Sequence, residues 1–286
     1  MHDAIILSDL HLGSPNCQAK ALSELLESLK ESGDTTRKLI LNGDVFDSFD
    51  FRRLKKHHWK VLSLLRKLSD ELKIIWICGN HDGSAEIVSH LLGVKVVDEY
   101  VLRSGRRRIL VLHGHQFDDW LDTHPILTWI ADMIYLFLQR IDRSHEFAKM
   151  AKKGSKTFVR CAQKIKHGSI EYAARKHCDA VCCGHTHLAS LDQSQRVAYY
   201  NCGCWTEHPC TYVVVENGEI EFRHWSGDDQ KTWRRKTTLW TPHLESELPG
   251  PANSSKLQNA EAVTVVQLSR QSLNGHGQAA GSRCSP

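Results

Sequence analysis

Residues 4–11 read Ala4-Ile5-Ile6-Leu7-Ser8-Asp9-Leu10-His11, a short apolar run that ends in an acidic residue and a histidine. Two further apolar runs, Lys38–Leu41 and Lys73–Cys78, are rich in isoleucine and leucine and end in glycine or aspartate turns, which is typical of buried strands. Between the three runs, Ala19–Lys30 and Arg53–Leu72 carry apolar residues at helical spacing. The β-α-β-α-β alternation predicts an α/β fold in which helices cover a sheet.

More strands are predicted downstream, ending in a hairpin. They are Val94–Val97, Tyr100–Arg103, Arg108–Leu112, Ala180–Cys183, Arg196–Asn201, Cys210–Glu216 and Glu219–Trp225. The last three are expected to be antiparallel, and Asn217-Gly218 supplies the turn of a hairpin. We therefore predict one domain over residues 1–243, with a helical insert at about 116–176. Residues 244–286, rich in Pro, Gly, Ser, Asn and Gln, are expected to be a disordered tail.

Five short motifs combine Asp, Asn and His, and each directly follows a predicted strand. They are Asp9-x-His11, Gly43-Asp44-x-x-Asp47, Gly79-Asn80-His81-Asp82, His113-Gly114-His115 and Gly184-His185-Thr186-His187. In α/β folds, ligands bind beyond the carboxyl ends of strands. The five motifs are therefore expected to meet at one place.

Carboxylates and imidazoles without thiolates favour divalent ions such as Mn, Fe, Zn, Co or Ni over a structural zinc site. In Asp9-x-His11 the two side chains point the same way if the backbone stays extended. His185 and His187 either do the same or diverge in a loop, one toward each ion. Asp44 fits a carboxylate that bridges two ions about 3.5–4 Å apart, which would activate water and clamp phosphate oxygens.

The other polar residues of the motifs have supporting roles in this hypothesis. His81 is the candidate catalytic residue, as a hydrogen-bond donor to a phosphoryl or leaving-group oxygen. Asp47 and Asp82 are expected to orient metal-binding histidines. His115 either contacts substrate or faces solvent.

The order of these motifs resembles the signature of the calcineurin-like metallophosphoesterase superfamily, over about residues 3–225. The resemblance implies a four-layer α/β/β/α sandwich with a helical lid insertion, and two divalent ions, with manganese the first expectation. It implies one ion at Asp9, His11, Asp44 and His187, and a second ion at Asp44, Asn80, His113 and His185. A catalytically inactive scaffold is the alternative, but such scaffolds usually lose ligands and none is missing here.

The insert guides the choice of substrate. Ile126–Leu138 is apolar on more than one helical face, and the segment that follows is basic without intervening acids, at Lys149, Lys152, Lys153, Lys156, Arg160, Lys164 and Lys166. This combination suggests a surface for acyl chains and anionic headgroups. The alternative is a helical hairpin packed on the core with a solvated basic face.

With the Gly203-Cys204-Trp205 stretch, the insert resembles the UDP-2,3-diacylglucosamine diphosphatase group, which releases UMP and a lipid phosphate. By position, this resemblance implies substrate contacts at Asp118 or Asp119, at Ser155 and at Lys156. Two departures are His81, where that group has arginine, and His115, where it has aspartate. A phosphodiesterase acting on another substrate ranks second. A nuclease ranks third, because the basic run lacks interleaved aromatic residues for stacking.

Composition places few limits on function. The chain is 41% hydrophobic and 24% charged, and its net charge of +4 does not by itself predict a nucleic-acid partner. We expect no signal peptide and no membrane span, and the ten cysteines show no regular framework, so reduced thiols are predicted. The expected location is cytoplasmic, with transient peripheral contact at the inner face of the membrane. No oligomeric state is predicted.

Overall fold

Eleven strands and four helices occupy the residues that the computed structural model describes, namely 2–31, 36–83, 85–118 and 156–225. The strands are β1 Ala4–Leu7, β2 Lys38–Asn42, β3 Lys73–Ile77, β4 Lys95–Val97, β5 Glu99–Ser104, β6 Arg107–Leu112, β7 Ala180–Cys183, β8 Ser190–Asp192, β9 Ala198–Asn201, β10 Cys210–Glu216 and β11 Glu219–Trp225. The helices are α1 Ala19–Glu31, α2 Lys56–Leu68, α3 Ala85–Leu92 and α4 Lys156–Arg175.

The strands form two sheets. The first has the order β11-β10-β1-β2-β3-β4, in which β1 to β4 are parallel and the β10-β11 hairpin is antiparallel. The second has the order β5-β6-β7-β9-β8, in which β6, β7 and β9 are parallel. The parallel strands of each sheet have their carboxyl ends at one edge, and the polar motifs follow those ends.

Three separate apolar cores show that the sheets are stacked in four layers. Ile5 and Leu7 of β1 pack with α1 to α3, whereas Ala4 and Ile6 pack between the sheets. In β7, Val181 faces the third core, which includes Ile170 of α4. Successive side chains of a strand point to opposite faces, so each central strand serves two cores. The predicted α/β/β/α sandwich is confirmed.

Several predicted elements differ in detail. Helix α2 is shorter than the predicted Arg53–Leu72. Phe51–Arg53 forms a separate 3₁₀ turn, in which the Asp50 side chain accepts a hydrogen bond from the Arg52 amide, and α2 ends at Leu68. Strand β9, expected to be antiparallel, pairs in parallel with β7 and is antiparallel only to β8. The predicted hairpin of β10 and β11 is present, with left-handed φ angles at its two turn residues.

Part of the predicted insert belongs to the outer layer of the sandwich. Residues 156–175 form α4, whose Ile170 and Ala173 are buried against the second sheet. The apolar segment Ile126–Leu138 and residues 244–286 lie outside the described residues. Among the helices that are described, none combines the length and the apolarity that crossing a bilayer requires.

Candidate metal centre

The five polar motifs meet where the carboxyl ends of the two sheets adjoin. Asp9 follows β1, Asp44 follows β2, and Asn80 follows β3 in the first sheet, while His113 follows β6 and His185 follows β7 in the second. Contacts join the two sheets here, because the backbone amide of His185 donates to the Asp9 carboxylate at 3.1 and 3.2 Å. The motifs meet because parallel strands have their carboxyl ends at the same edge of a sheet, and each motif follows such an end.

The backbone at these positions is left-handed, not extended. The φ angles are 55° at Asp9, 47° at His11, 51° at Asp44, 66° at His185 and 58° at His187. A non-glycine residue in this region is uncommon and is often found at functional sites. The condition of an extended backbone is therefore not met at Asp9 and His11, and tight loops bring these two side chains together instead.

One group of possible ligands contains Asp9, His11 and His187. Nε2 of His187 lies 3.1 Å from Asp9 Oδ1 and 3.1 Å from His11 Nε2. Nε2 of His11 lies 4.0 Å from the same Asp9 oxygen. The three residues are buried, and their ligand atoms all lie within 4.8 Å of one another.

A second group contains Asp44, His113 and His185, also with ligand atoms within 4.8 Å. Oδ2 of Asp44 lies 3.4 Å from His113 Nε2 and 3.6 Å from His11 Nε2, so one carboxylate oxygen adjoins both groups. His185 and His187, two residues apart, fall into different groups. Of the two arrangements considered for this pair, the structure has the one in which the two side chains diverge in a loop, one toward each group.

Gly43 allows the close approach of these residues. Its φ is 81°, and a Cβ atom built on it would lie 2.2 Å from Nδ1 and 2.4 Å from Cγ of His113. Only glycine adopts such a backbone without strain and also leaves room for the ring.

Hydrogen bonds hold the outer nitrogen of several rings. Nδ1 of His113 donates to the Asn42 carbonyl oxygen at 2.9 Å, so Nε2 faces Asp44. Nδ1 of His187 lies 3.3 Å from Thr206 Oγ1, so Nε2 faces Asp9. Partners of this kind fix the tautomer and the orientation of a metal-binding imidazole.

Burial and the two carboxylates control the charges. Burial lowers the pKa of His113 and of His187, but Asp44 and Asp9 outweigh it and raise these pKa values to about 9 and about 10. Burial raises the pKa of Asp9, but His187 outweighs it and lowers the value to about 2. Burial lowers the pKa of His11 to about 4 against the attraction of Asp44. The two buried carboxylates therefore strongly favour nearby positive charge.

The donor set fits divalent ions. Oδ1 of Asn80 and Nδ1 of His11 are buried and make no hydrogen bond. Buried polar atoms are normally hydrogen-bonded, so such unpartnered atoms need an explanation. Carboxylate, amide and imidazole donors are those that Mn, Fe, Co, Ni and Zn accept.

His81 lies beside the bridging position. Its backbone amide donates to Asp44 Oδ1 at 3.0 Å, its Nδ1 donates to the Asp47 carbonyl at 2.9 Å, and its Nε2 is 3.9 Å from Asp44 Oδ2. The side chain of Asp47 forms an ion pair with Arg53 and lies 3.8 Å from Nδ1 of His11. Asp47 thus contacts two histidines, one through its carbonyl and one through its carboxylate.

Asp82, expected to orient a histidine, binds the loops that carry the site. Its carboxylate accepts from the backbone amides of Val45, Phe46 and Gly79 and from the Trp76 indole nitrogen at 3.0–3.4 Å. Burial and the nearby Asp44 charge raise the pKa of Asp82 to about 6. It ties the loop after β2 to the loop after β3.

Of the residues proposed for substrate contact, His115 and Asp118 lie beside histidines of the site. The His115 ring lies 5.5 Å from the His113 ring, and burial lowers the pKa of His115 to about 4. The Asp118 carboxylate lies 3.0 Å from His185 Nε2. Asp119 and Ser155 lie outside the described residues, and Lys156 is placed only as the first residue of α4.

Sequence reasoning missed three neighbours of the site. The Ser8 hydroxyl lies 2.5 Å from Asp9 Oδ2, the Asn42 carbonyl holds His113, and the Thr206 hydroxyl holds His187. Ser8 and Asn42 each lie beside a motif at a strand end, which is a usable signal. Thr206 is far along the chain from His187 and carries no such signal.

The model of the calcineurin-like phosphoesterase family matches residues 4–189, well over half of the chain. No curated protein sequence matches. Among solved structures, YfcE, a phosphoesterase from E. coli, is 17% identical, covers 80% of this chain and 96% of its own, and has a TM-score of 0.46. An archaeal phosphodiesterase is 15% identical. The match covers 77% of this chain and 98% of the phosphodiesterase, with a TM-score of 0.43.

Vacuolar protein sorting 29 from Cryptosporidium parvum is 15% identical. The match covers 80% of this chain and 93% of that protein, with a TM-score of 0.42. Because the identities and TM-scores of these three structures are low, the assignment depends on the family match over residues 4–189. This protein belongs to the calcineurin-like phosphoesterase family, and its family match together with its cluster of Asp and His side chains identifies it as a metal-dependent hydrolase.

Proposed function

We propose that this protein hydrolyses a phosphodiester or phosphoanhydride with two divalent ions, manganese being the first choice. Asp9, His11, Asp44 and His187 would hold one ion. Asp44, Asn80, His113 and His185 would hold the other. The proposal depends on the position of one oxygen, Oδ2 of Asp44. It lies 3.6 Å from Nε2 of His11 in the first group and 3.4 Å from Nε2 of His113 in the second.

Such a pair of ions, when bound, lowers the pKa of water and neutralises charge that develops on the phosphoryl oxygens. The chain supplies the orientation. Ser8 and the His185 amide hold the Asp9 carboxylate, and the His81 amide holds Asp44. Ligands fixed in this way keep the geometry that an in-line displacement requires.

His81 is proposed to assist the leaving oxygen. Its Nδ1 is occupied by the Asp47 carbonyl, so Nε2 is the nitrogen available to substrate. The side chain is only 10% exposed, which limits competition from water. In its protonated form, Nε2 would donate a hydrogen bond and then a proton to the departing oxygen.

The substrate class that we propose is a nucleotide-linked lipid, with UDP-2,3-diacylglucosamine as the first candidate. Its support is the sequence of the insert, in which the apolar segment 126–138 is followed along the chain by the basic residues at 149–166. On this proposal the products are UMP and a lipid phosphate, and the protein meets the membrane surface transiently to reach its substrate.

The test compares two substrates with and without added manganese. Metal-dependent release of UMP from UDP-2,3-diacylglucosamine is expected, and His81→Asn should reduce this rate by at least about 100-fold. Metal-dependent hydrolysis of bis(p-nitrophenyl) phosphate without UMP release would keep the metal centre and reject the lipid. Absence of both activities would reject the proposed function.

A further inference from the structure

Asp118 has a position that substrate binding does not explain. It follows the 3₁₀ turn His115–Phe117, and its side chain is only 4% exposed. Its Oδ2 lies 3.0 Å from Nε2 of His185, which is hydrogen-bonding distance. A carboxylate this enclosed needs a permanent polar partner, and His185 provides one.

This contact determines which nitrogen of His185 remains available. An ionised carboxylate only accepts hydrogen bonds, so in the neutral form of His185 the proton lies on Nε2 and Nδ1 keeps its lone pair. His113 and His187 have the opposite arrangement, since their Nδ1 atoms face Asn42 and Thr206 and their Nε2 atoms face the carboxylates. Among these three rings, only His185 has a carboxylate as the partner of its outer nitrogen.

Packing fixes the turn that carries Asp118. The Phe117 ring lies 6.0 Å from the Tyr172 ring of α4, and a Cβ atom on Gly168 would lie only 2.8 Å from the Phe117 ring. The backbone amide of Asp118 donates to the His115 carbonyl at 3.0 Å. The carboxylate is therefore held by the protein and does not depend on a bound substrate for its place.

We infer that Asp118 is a positioning residue for metal binding, because it holds His185 with Nδ1 directed to the ion shared with Asp44. The inference rests on the proposed function. A carboxylate on the outer nitrogen of a metal-binding histidine also makes the ring a stronger donor. The sequence suggested a different role for Asp118, direct contact with substrate, and the two roles predict different measurements.

The experiment is a calorimetric titration of Mn²⁺ into the metal-stripped full chain, for the wild type, Asp118→Asn and Asp118→Ala. We expect the affinity of one of two bound ions to fall about 10- to 100-fold, with alanine worse than asparagine, as for other residues that support a metal ligand. Asp70→Asn is the matched control, since Asp70 is 65% exposed and pairs with Arg66 on the protein surface. Its metal affinity should equal that of the wild type.

Unchanged affinity in both Asp118 variants, together with a raised KM for substrate, would overturn the inference in favour of substrate contact. Unchanged affinity with a lowered melting temperature would overturn it in favour of a structural role. A wild type that binds no Mn²⁺ would overturn the proposed function and this inference together, so the two failures are distinguishable.

Discussion

Gly43→Ala should destabilise the protein and inactivate it, because the new methyl group would overlap the His113 ring. At a φ of 81°, alanine costs about 1–2 kcal/mol relative to a relaxed backbone. The Cβ atom would also lie 2.2–2.8 Å from three atoms of His113, a residue with no exposed surface whose Nδ1 is held by Asn42. Overpacking of this kind costs about 1–3 kcal/mol.

Together these terms give about 2–5 kcal/mol, or a melting temperature lower by about 4–20 °C for a domain of this size. The displaced ring should also weaken metal binding. Gly83→Ala is the matched control, because a Cβ atom there has no neighbour within 4 Å and the position lies in the adjacent loop after β3. It should melt like the wild type.

Thermal unfolding followed by circular dichroism, with Mn²⁺ titration of each variant, measures both effects. A Gly43→Ala protein that melts within about 1 °C of the wild type and binds Mn²⁺ normally would refute the reasoning. Equal losses in both variants would show that any methyl group in these loops is harmful, and that the His113 contact is not the cause.

Two further predictions concern charged residues. Asp44→Ala should abolish turnover at saturating Mn²⁺ and remove binding of both ions, and normal turnover would contradict a shared carboxylate. The Asp192 carboxylate lies 2.6 Å from the Lys166 ammonium group. Burial raises the pKa of Asp192, but Lys166 and Ser194 outweigh this effect and lower the pKa to about 2. Its stabilisation is therefore fully present above about pH 4 and is lost as the pH falls through about 2. Asp192→Asn should lose about 1–2 kcal/mol in urea unfolding at pH 7 and only a small fraction of that at pH 2. An equal loss at both pH values would rule out this ion pair as the cause.

The strands were predictable because most of them are buried on both faces. Ile74 to Ile77 alternate between two cores, so the sequence shows an uninterrupted apolar run instead of a polar–apolar alternation. The polar residues at the ends of such runs then indicate the place of the site. This logic needs no knowledge of the loops.

Other elements carry weaker signals. Helix α3 has eight residues, and its Ile87 and Leu91 are 71% and 74% exposed, which obscures the amphipathic pattern. Strand β8 has three residues, none fully buried. Neither segment is long or periodic enough to be recognised without its neighbours.

The details of the site depend on contacts between distant segments. The left-handed backbone at Asp9 and His11 is set by loop hydrogen bonds, including those from Leu12 to Val45 and from His11 to Asp44. The contact of Asp118 with His185 joins residues 67 positions apart. No local sequence pattern encodes either arrangement. The sequence therefore predicted that these residues meet at one place, but it did not predict the backbone conformation that brings them there.

The left-handed φ angles at five candidate ligands imply a conflict between folding and function. At about 1–2 kcal/mol each, they amount to about 5–10 kcal/mol, which is comparable with the whole net stability of a typical domain. The three apolar cores must offset this before the chain can fold at all. Glycine at these positions would relieve strain while removing a ligand, so the most stable versions of this protein should be inactive ones.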